Sequence, residues 1–313
     1  MGVQMVNVSV LLAVYNGLPY LPEQLQSLSR QTVPFRLLVQ DDGSTDSSAD
    51  VLKDFAGSQP NVVFGANQGQ HLGAPGNFLS MLQQTRGPAA LCDQDDIWMP
   101  DRLEACLEAL SRAEAQWGSD TPILVHSDLR VVSEDGSPIH ESFFGHQKWN
   151  PEAASLQNLL VQNNVTGCSV LINEPLRQLA SRHAKNSGIF MHDWFLAQTA
   201  AAFGHIVFVP RPLVSYRQHG DNAVGASTSG IPGRVLKALT MPEKAKKRIL
   251  LNYTQAQSFL AYYGNALPDE AKNVVNRFLE IPRQPKWRRP GLLMRGNYLM
   301  QDPVLRLGQL LLT

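Results

Sequence analysis

Four times in the first hundred residues a short apolar run stops at a polar turn, and each time a stretch of helical period follows. The runs are residues 7–14, Phe35 to Gln40, Asn61 to Phe64 and Ala89 to Cys92. Leu21, Leu25 and Leu28 mark the first helical stretch. Ser47 to Phe55 and Asn77 to Thr85 form the next two, and Leu103, Cys106, Leu107 and Leu110 give the fourth its apolar face. Runs that are apolar throughout suit strands buried on both faces, and their alternation with helices predicts a mainly parallel α/β sheet with helices packed on it. In such sheets ligands bind beyond the carboxyl ends of the strands. Tyr15-Asn16, Asp41-Asp42 and Asp93-Gln94-Asp95-Asp96 stand at those ends.

The pattern then changes. Ile123 to Ser127, Arg130 to Val132, Thr166 to Ile172 and His205 to Val209 read as further strands, with helices over Glu174 to His183 and from Met191 to about Phe203. Residues 220–233 are small, Gly-rich and aperiodic and read as a loop. Helical stretches rich in Lys and Arg follow, at Arg234 to Leu251, Tyr253 to Tyr263 and Asp269 to Glu280.

Net charge is zero only in sum. Residues 1–232 carry 13 Lys/Arg against 22 Asp/Glu, and residues 233–313 carry 14 against 5. The reading is therefore an α/β domain over 1–232 with a basic helical region over 233–313. Mixed with Leu, Trp and Tyr, that basic region suits an anionic membrane surface. The acidic body disfavours nucleic acid as a partner. Three scattered cysteines, no basic-apolar leader and no apolar run near 18–20 residues point to a cytoplasmic protein, peripheral on the membrane's inner face at most.

A dinucleotide fold would need GxGxxG after the first strand, where this chain has Tyr15-Asn16-Gly17, and there is no GxxxxGK[ST] phosphate loop. Asp93-Gln94-Asp95 offers another way to hold phosphates. Two carboxylates one residue apart in an extended turn can present oxygens to one hard cation, Mg²⁺ or Mn²⁺, which then bridges a diphosphate. Alone, the same residues are an acidic turn ahead of a helix.

Five motifs in order give that turn a context: Val8 to Gly17, Asp41-Asp42-Gly43-Ser44-Thr45-Asp46, the Asn67 to Asn77 loop, Asp93-Gln94-Asp95-Asp96-Ile97-Trp98, and Met191-His192-Asp193-Trp194. Over about residues 6–220 the chain resembles the family 2 glycosyltransferases, which have the GT-A nucleotide-diphospho-sugar transferase fold. Its DQDDIW and YRQHGDN segments are most similar to rhamnosyltransferase-type members that build bacterial surface polysaccharides, lipopolysaccharide among them. The resemblance implies an inverting hexosyltransferase using a UDP- or dTDP-sugar and a glycan or lipid-linked acceptor. It implies that Ala13, Tyr15 and Asn16 line the base and ribose pocket, that Asp42 accepts a pyrimidine imide N–H, and that Asp93 lies near ribose and metal. Asp95 would ligate the metal, with His219 as a further ligand, and Arg217 and Asn77 would reach the diphosphate. Asp193 would be the catalytic base, a role that sits beside capping of the helix it opens. Asp96 reads as favouring the N-terminus of the following helix. The QxxRW motif of processive members is missing, so the enzyme is expected to add one sugar and release its product. The rival readings are a sugar-nucleotide pyrophosphorylase, which would want a basic Gly-rich loop after the first strand, and a non-catalytic sugar-binding scaffold, which would be expected to lose Asp95 or Asp193.

Overall fold

The computed structural model of the chain describes residues 8–67, 71–182, 188–219 and 242–313. The loop expected at 220–233 lies outside them. In chain order the elements are β1 (Ser9–Val14), α1 (Leu21–Ser29), β2 (Arg36–Asp41), α2 (Ser48–Ser58), β3 (Val62–Ala66), α3 (Gly73–Gln83), β4 (Ala89–Cys92), β5 (Ile97–Trp98) and α4 (Arg102–Trp117). There follow β6 (Ile123–Val132), β7 (Pro138–His140), α5 (Phe143–Gln147), α6 (Leu156–Leu159), β8 (Leu171–Ile172), α7 (Glu174–Ala180), α8 (His192–Phe203) and β9 (His205–Arg217). Four C-terminal helices complete the chain, α9 (Pro242–Tyr263), α10 (Asp269–Glu280), α11 (Arg289–Arg295) and α12 (Pro303–Leu312).

The strands form one sheet in the order β3-β2-β1-β4-β8-β6-β9-β5, with β7 on the edge of β6. The four-fold alternation of the first hundred residues is its parallel half, in which β1 pairs parallel with both β2 and β4 and β2 with β3. The second half is mixed. β8 is antiparallel to both β4 and β6, β9 runs parallel to β6, and β5 closes antiparallel on β9. The two strands expected at 123–127 and 130–132 are one long strand whose register shifts at Ser127–Leu129. The extra residues of that shift lie on β9, where Val209, Pro212 and Val214 face Ser127, Asp128 and Leu129. At this irregularity the Asp128 carboxylate accepts the N–H groups of Phe143 and Phe144 and holds the start of α5.

Alternation along β1 splits the core between the two faces. Leu11 joins an apolar cluster with Phe78, Leu176, Phe195 and Leu196, while Val10, Leu12 and Val14 join Leu21, Leu25, Leu103 and Leu110 on the other side. The C-terminal helices belong to the first cluster: Tyr253, Phe259, Tyr263, Phe278 and Tyr298 pack with Phe195 and its neighbours. No helix among the described residues is long and apolar enough to cross a membrane.

Candidate active site

Beyond the carboxyl ends of β1, β2 and β4 lies a cavity of about 1610 Å³. Its lining falls into two sets. One comes from the strand-end turns and includes Ala13, Tyr15, Asn16, Tyr20, Asp42, His71, Asn77, Asp93, Gln94, Asp95 and His219. The other comes from later segments and includes Gln147, Trp149, residues 161–167, Met191 to Trp194, Arg248, Leu251, Asn252 and Leu305.

In the first set the turn after β1 interlocks with the acidic turn after β4. Tyr15 N–H donates to Gln94 Oε1 (2.7 Å) and Gln94 Nε2 donates back to Tyr15 O (3.1 Å). A Cβ on Gly17 would fall 2.5 Å from the same Gln94 oxygen, so only glycine admits this approach. Asn16, at φ +50°, turns the chain with its side-chain oxygen receiving Thr45 N–H. After β2, Asp41 Oδ2 accepts the N–H groups of Gly43 and Ser44, which leaves Asp42 to face the cavity. Asp42 is buried and receives Asn67 Nδ2, Leu72 N–H and Gly73 N–H, with His71 Nδ1 3.0 Å from its carboxylate. The His71 ring lies 4.3 Å from the Tyr15 ring. Asn77 is buried; its amide donates to Gln40 O, and its oxygen takes a long bond from Asn67.

The three carboxylates of the acidic turn have separate surroundings. Asp95 Oδ2 meets His219 Nε2 at 2.7 Å, and Tyr20 stacks on that imidazole at 4.8 Å, which fixes its plane. Asp93 lines the cavity, and burial together with the charges of Asp95, Asp96 and Asp193 pushes its pKa well up. Asp96 points away from the cavity and accepts the backbone N–H of Arg217 (3.0 Å). Burial raises its pKa to about 8. It therefore pins the end of β9 to this turn; the next helix begins six residues later, at Arg102, so Asp96 does not serve that helix's N-terminus.

Arg217 does not line the cavity. Its guanidinium donates to Asp95 O, Glu134 O and the Glu23 carboxylate, and the Arg217 side chain is itself buried. The group nearest a diphosphate ligand in chemistry is thus spent on fixing the acidic turn.

Asp93, Asp95 and His219 all line the cavity, and carboxylate oxygens of this kind are what a hard divalent cation takes. The raised pKa of Asp93 reflects its burial first and then the charges of Asp95, Asp96 and Asp193, which Arg102 offsets only in part. Among the described residues the one set whose ligand atoms all come within 4.8 Å of one another is Asp93, Asp96 and Cys168. Cys168 is fully buried and its thiol pKa is pushed far up, so it stays protonated and fits a hard cation poorly.

Asp193, in the first turn of α8, connects the two sets. Its Oδ1 receives Trp194 N–H (2.6 Å), and Gly167 N–H and the Asn163 amide also favour its ionised form. Burial outweighs these and raises its pKa to about 6. A carboxylate buried to 6 % exposure, ionised at neutral pH and held by three donors can take a proton from a hydroxyl in the cavity. His192 beside it is stacked on Phe78 at 4.2 Å and is kept neutral by burial, with a pKa of about 3. Trp194 turns inward, its indole N–H bonded to Leu159 O.

Behind both sets lies Arg102, wholly buried over the Trp98 ring at 3.4 Å. It donates to Leu91 O, Cys168 O and Val170 O and so ties the end of β4 to the 167–169 turn that carries Gly167. The arrangement joins the acidic turn to the cradle of Asp193. Gln94, His71, Tyr20 and Arg102 were not singled out by the sequence. Only Gln94 carried a signal there, as the residue between the two carboxylates.

Residues 9–179 match the family described as Glycosyl transferase family 2. The dTDP-rhamnosyl transferase RfbG of Shigella flexneri is 28 % identical over 232 residues, 70 % of this chain and 75 % of that one. An uncharacterized glycosyltransferase of a Nostoc species is 25 % identical over 296 residues, 90 % of this chain and 84 % of that one. A mycobacterial relative of uncharacterized function is 27 % identical over 215 residues, and the aligned part is 58 % of its length. Among solved structures, the Staphylococcus aureus protein TarS (residues 1–349) in complex with UDP superposes with a TM-score of 0.56 at 15 % identity, over 97 % of this chain and 87 % of that one. The mannosyltransferase PcManGT of Pyrobaculum calidifontis, in complex with GDP-Man and Mn²⁺, gives 0.53 at 14 % identity, over 96 % and 78 %. At these identities the structural likeness speaks for the fold, which is GT-A.

Proposed function

The chain belongs to glycosyl transferase family 2, and from that premise we propose that it is a metal-dependent, inverting, non-processive transferase in surface-polysaccharide biosynthesis. It moves one sugar from a UDP- or dTDP-sugar to a hydroxyl of a glycan or lipid-linked acceptor. Rhamnose from a dTDP donor is the choice favoured by the likeness to RfbG. The observation that carries the reading is one cavity lined by Tyr15, Asp42, Asp93, Asp95 and His219 on one side and Asp193 on the other.

In this reading Ala13, Tyr15 and Asn16 receive the nucleoside, and Asp42 reads a pyrimidine edge once the His71–Gly73 segment gives way. Asn77 acts indirectly, by fixing Gln40 and Asn67 beneath Asp42, and Arg217 by holding the acidic turn. Asp95, Asp93 and His219 hold the divalent metal, Mn²⁺ or Mg²⁺, whose charge eases departure of the nucleoside diphosphate. Asp193 accepts the acceptor hydroxyl's proton as its oxygen bonds to the anomeric carbon. The carbon–oxygen bond to the diphosphate breaks on the opposite face, and its electron pair leaves with the phosphate.

We assign residues 1–232 to the transferase domain and residues 233–313 to a basic region that docks on an anionic membrane face. Exposed Trp287, Met294, Leu307 and Leu311 beside Lys286, Arg288 and Arg295 support the docking. Trp287→Ala with Arg288→Glu should abolish co-sedimentation with phosphatidylglycerol vesicles; unchanged pelleting would remove the membrane from the reading.

The decisive experiment is a thermal-shift panel of UDP-, dTDP- and GDP-sugars with and without Mn²⁺. A pyrimidine donor should stabilise the protein only when metal is present, and Asp95→Asn should erase the metal requirement together with the shift. A larger shift from GDP-sugars, or equal shifts without metal, would overturn the donor and metal assignments.

A further inference from the structure

We infer that the second set of lining residues is a binding lobe for an acceptor saccharide that carries a negative charge, with the charge read by Arg248 of the C-terminal region. The inference rests on the reading of Asp193 as the base, since Asn163 and Gly167, which hold Asp193, belong to this lobe.

The lobe is polar where a buried surface should not be. Gln147, Gln162 and Asn164 are each 3 % exposed or less, yet Gln147 Nε2, Gln162 Nε2 and Asn164 Oδ1 have no hydrogen-bond partner. Trp149 Nε1 is buried and unpartnered as well. The rest of each side chain is firmly placed. Asn164 Nδ2 donates to three carbonyls of the 150–153 turn, Gln162 Oε1 accepts Gln301 N–H, and Trp149 packs edge-on to Phe143 at 5.8 Å. Buried amides are almost always paired, so three donors and one acceptor enclosed without partners in residues that line one cavity, and reachable by a turn of each side chain, suit a ligand rich in hydroxyls. The indole of Trp149 adds a flat apolar surface of the kind on which the C–H face of a pyranose rests.

The cation comes from α9. Arg248 lines the cavity with an exposed side chain and forms no ion pair among the described residues. The carboxylate whose charge it feels is Asp302, held at the start of α12 by the N–H groups of Val304 and Leu305. One turn on, Asn252 Nδ2 donates to Val161 O at 2.8 Å, so Arg248 is held against the 161–164 segment by its own helix. Among the described residues Asp193 is the one carboxylate that lines the lobe, and its own three donors already hold it, as α12's first N–H groups hold Asp302 behind. An unpaired guanidinium presents a planar fork of donors that fits a carboxylate or a phosphate. The acceptor's charge is therefore a uronate carboxylate or the phosphate of a phosphate-linked sugar.

The test is isothermal titration of the full chain, saturated with Mg²⁺ and UDP or dTDP, with three probes: methyl β-D-glucuronide, glucose 1-phosphate and methyl β-D-glucoside. At least one charged probe should bind about 5- to 10-fold more tightly than the neutral one, and which of the two does so tells carboxylate from phosphate. Arg248→Gln should remove that preference and leave nucleotide affinity unchanged, Arg248→Lys should keep part of it, and Trp149→Ala should weaken all three probes. Equal binding of all probes, no binding of any, or a preference that survives Arg248→Gln would overturn the inference. Loss of nucleotide affinity in Arg248→Gln would overturn it too, by giving Arg248 to the donor. Nucleotide binding that persists beside any of these failures leaves the transferase reading standing.

Discussion

On the wall formed by the turns after β1, β2 and β4, three polar side chains that face the cavity are already held by the protein: Asp42 by three donors and His71, Asp95 by His219, and Gln94 by the backbone of Tyr15. On the wall formed by residues 147–164 and α9, four polar atoms are unpartnered and Arg248, which feels the charge of Asp302, forms no ion pair among the described residues. The first wall is built before a ligand arrives, and under the proposed function a sugar donor exchanges with existing bonds. The second is completed by its ligand. This is what a transferase with a shared donor chemistry and a private acceptor would need, because a nucleoside diphosphate is the same for many enzymes and the acceptor is not.

The largest effect is expected where the walls meet. Asp193→Asn keeps the shape and the Trp194 N–H contact but cannot accept a proton, so transfer should fall by about 100- to 10,000-fold with donor binding intact. The wild-type rate should rise with pH through about 6, as the raised carboxyl of Asp193 ionises. Normal turnover by the Asn variant, measured as nucleoside diphosphate released, would place the base on another residue and dissolve the division between walls.

The same division explains what could be read from the sequence. The first wall is written in short contiguous motifs at the ends of parallel strands, where strand period and helical period alternate cleanly. Tyr15, Asp42, Asp93 and Asp95 could therefore be placed together from the sequence, and Asp193 stood out by the separate motif that opens α8. The mixed half of the sheet was less legible. β8 is only two residues long, and β6 and β9 are continuous strands whose polar and proline positions, Asp128 and Pro210 to Pro212, interrupt the apolar pattern. Gly73 to Gly76 read as a loop, although Pro75 lies in the first turn of α3, where its missing N–H costs nothing. Arg217 and Asp96 were misjudged for one reason: proximity in a motif does not say which groups the fold has already paired. The acceptor wall comes from segments a hundred residues apart and had no motif to show.

A middle-sized effect should come from the residue that joins the walls. Arg102 links Leu91 O with Cys168 O and Val170 O. Arg102→Met keeps most of the volume but leaves those carbonyls short of a charged donor, at a cost of about 3 kcal/mol. For a chain of this size that corresponds to a fall in Tm of roughly 5–10 °C. If the link matters as argued, the variant should also lose transfer more than it loses nucleotide binding, since Gly167 and with it Asp193 would shift against the acidic turn. An equal loss of both would make Arg102 a matter of stability alone.

The smallest effect separates the walls by pH. His126 on β6 is wholly buried between Phe144 and Phe208, with neither ring nitrogen hydrogen-bonded, and burial lowers its pKa to about 3. An unfolded chain takes up that proton near pH 6.5, so between about 6.5 and 3 the unfolded state binds more protons and stability falls as pH falls. Between pH 7 and pH 5 this histidine should cost about 2 kcal/mol. His192, also lowered to about 3, acts in the same direction, whereas Asp96, raised to about 8, acts in the opposite one. The comparison is therefore between wild type and His126→Leu in urea unfolding at pH 7 and pH 5, and the variant should lose less stability on acidification. His126 packs on Phe144 of α5, which carries Gln147. A local opening seen by amide exchange at pH 5 should accordingly appear in residues 143–149 and spare the turns after β1 and β2. Opening that began at Asp42 or Gln94 instead would mean that the donor wall, for all its internal bonds, is the softer of the two.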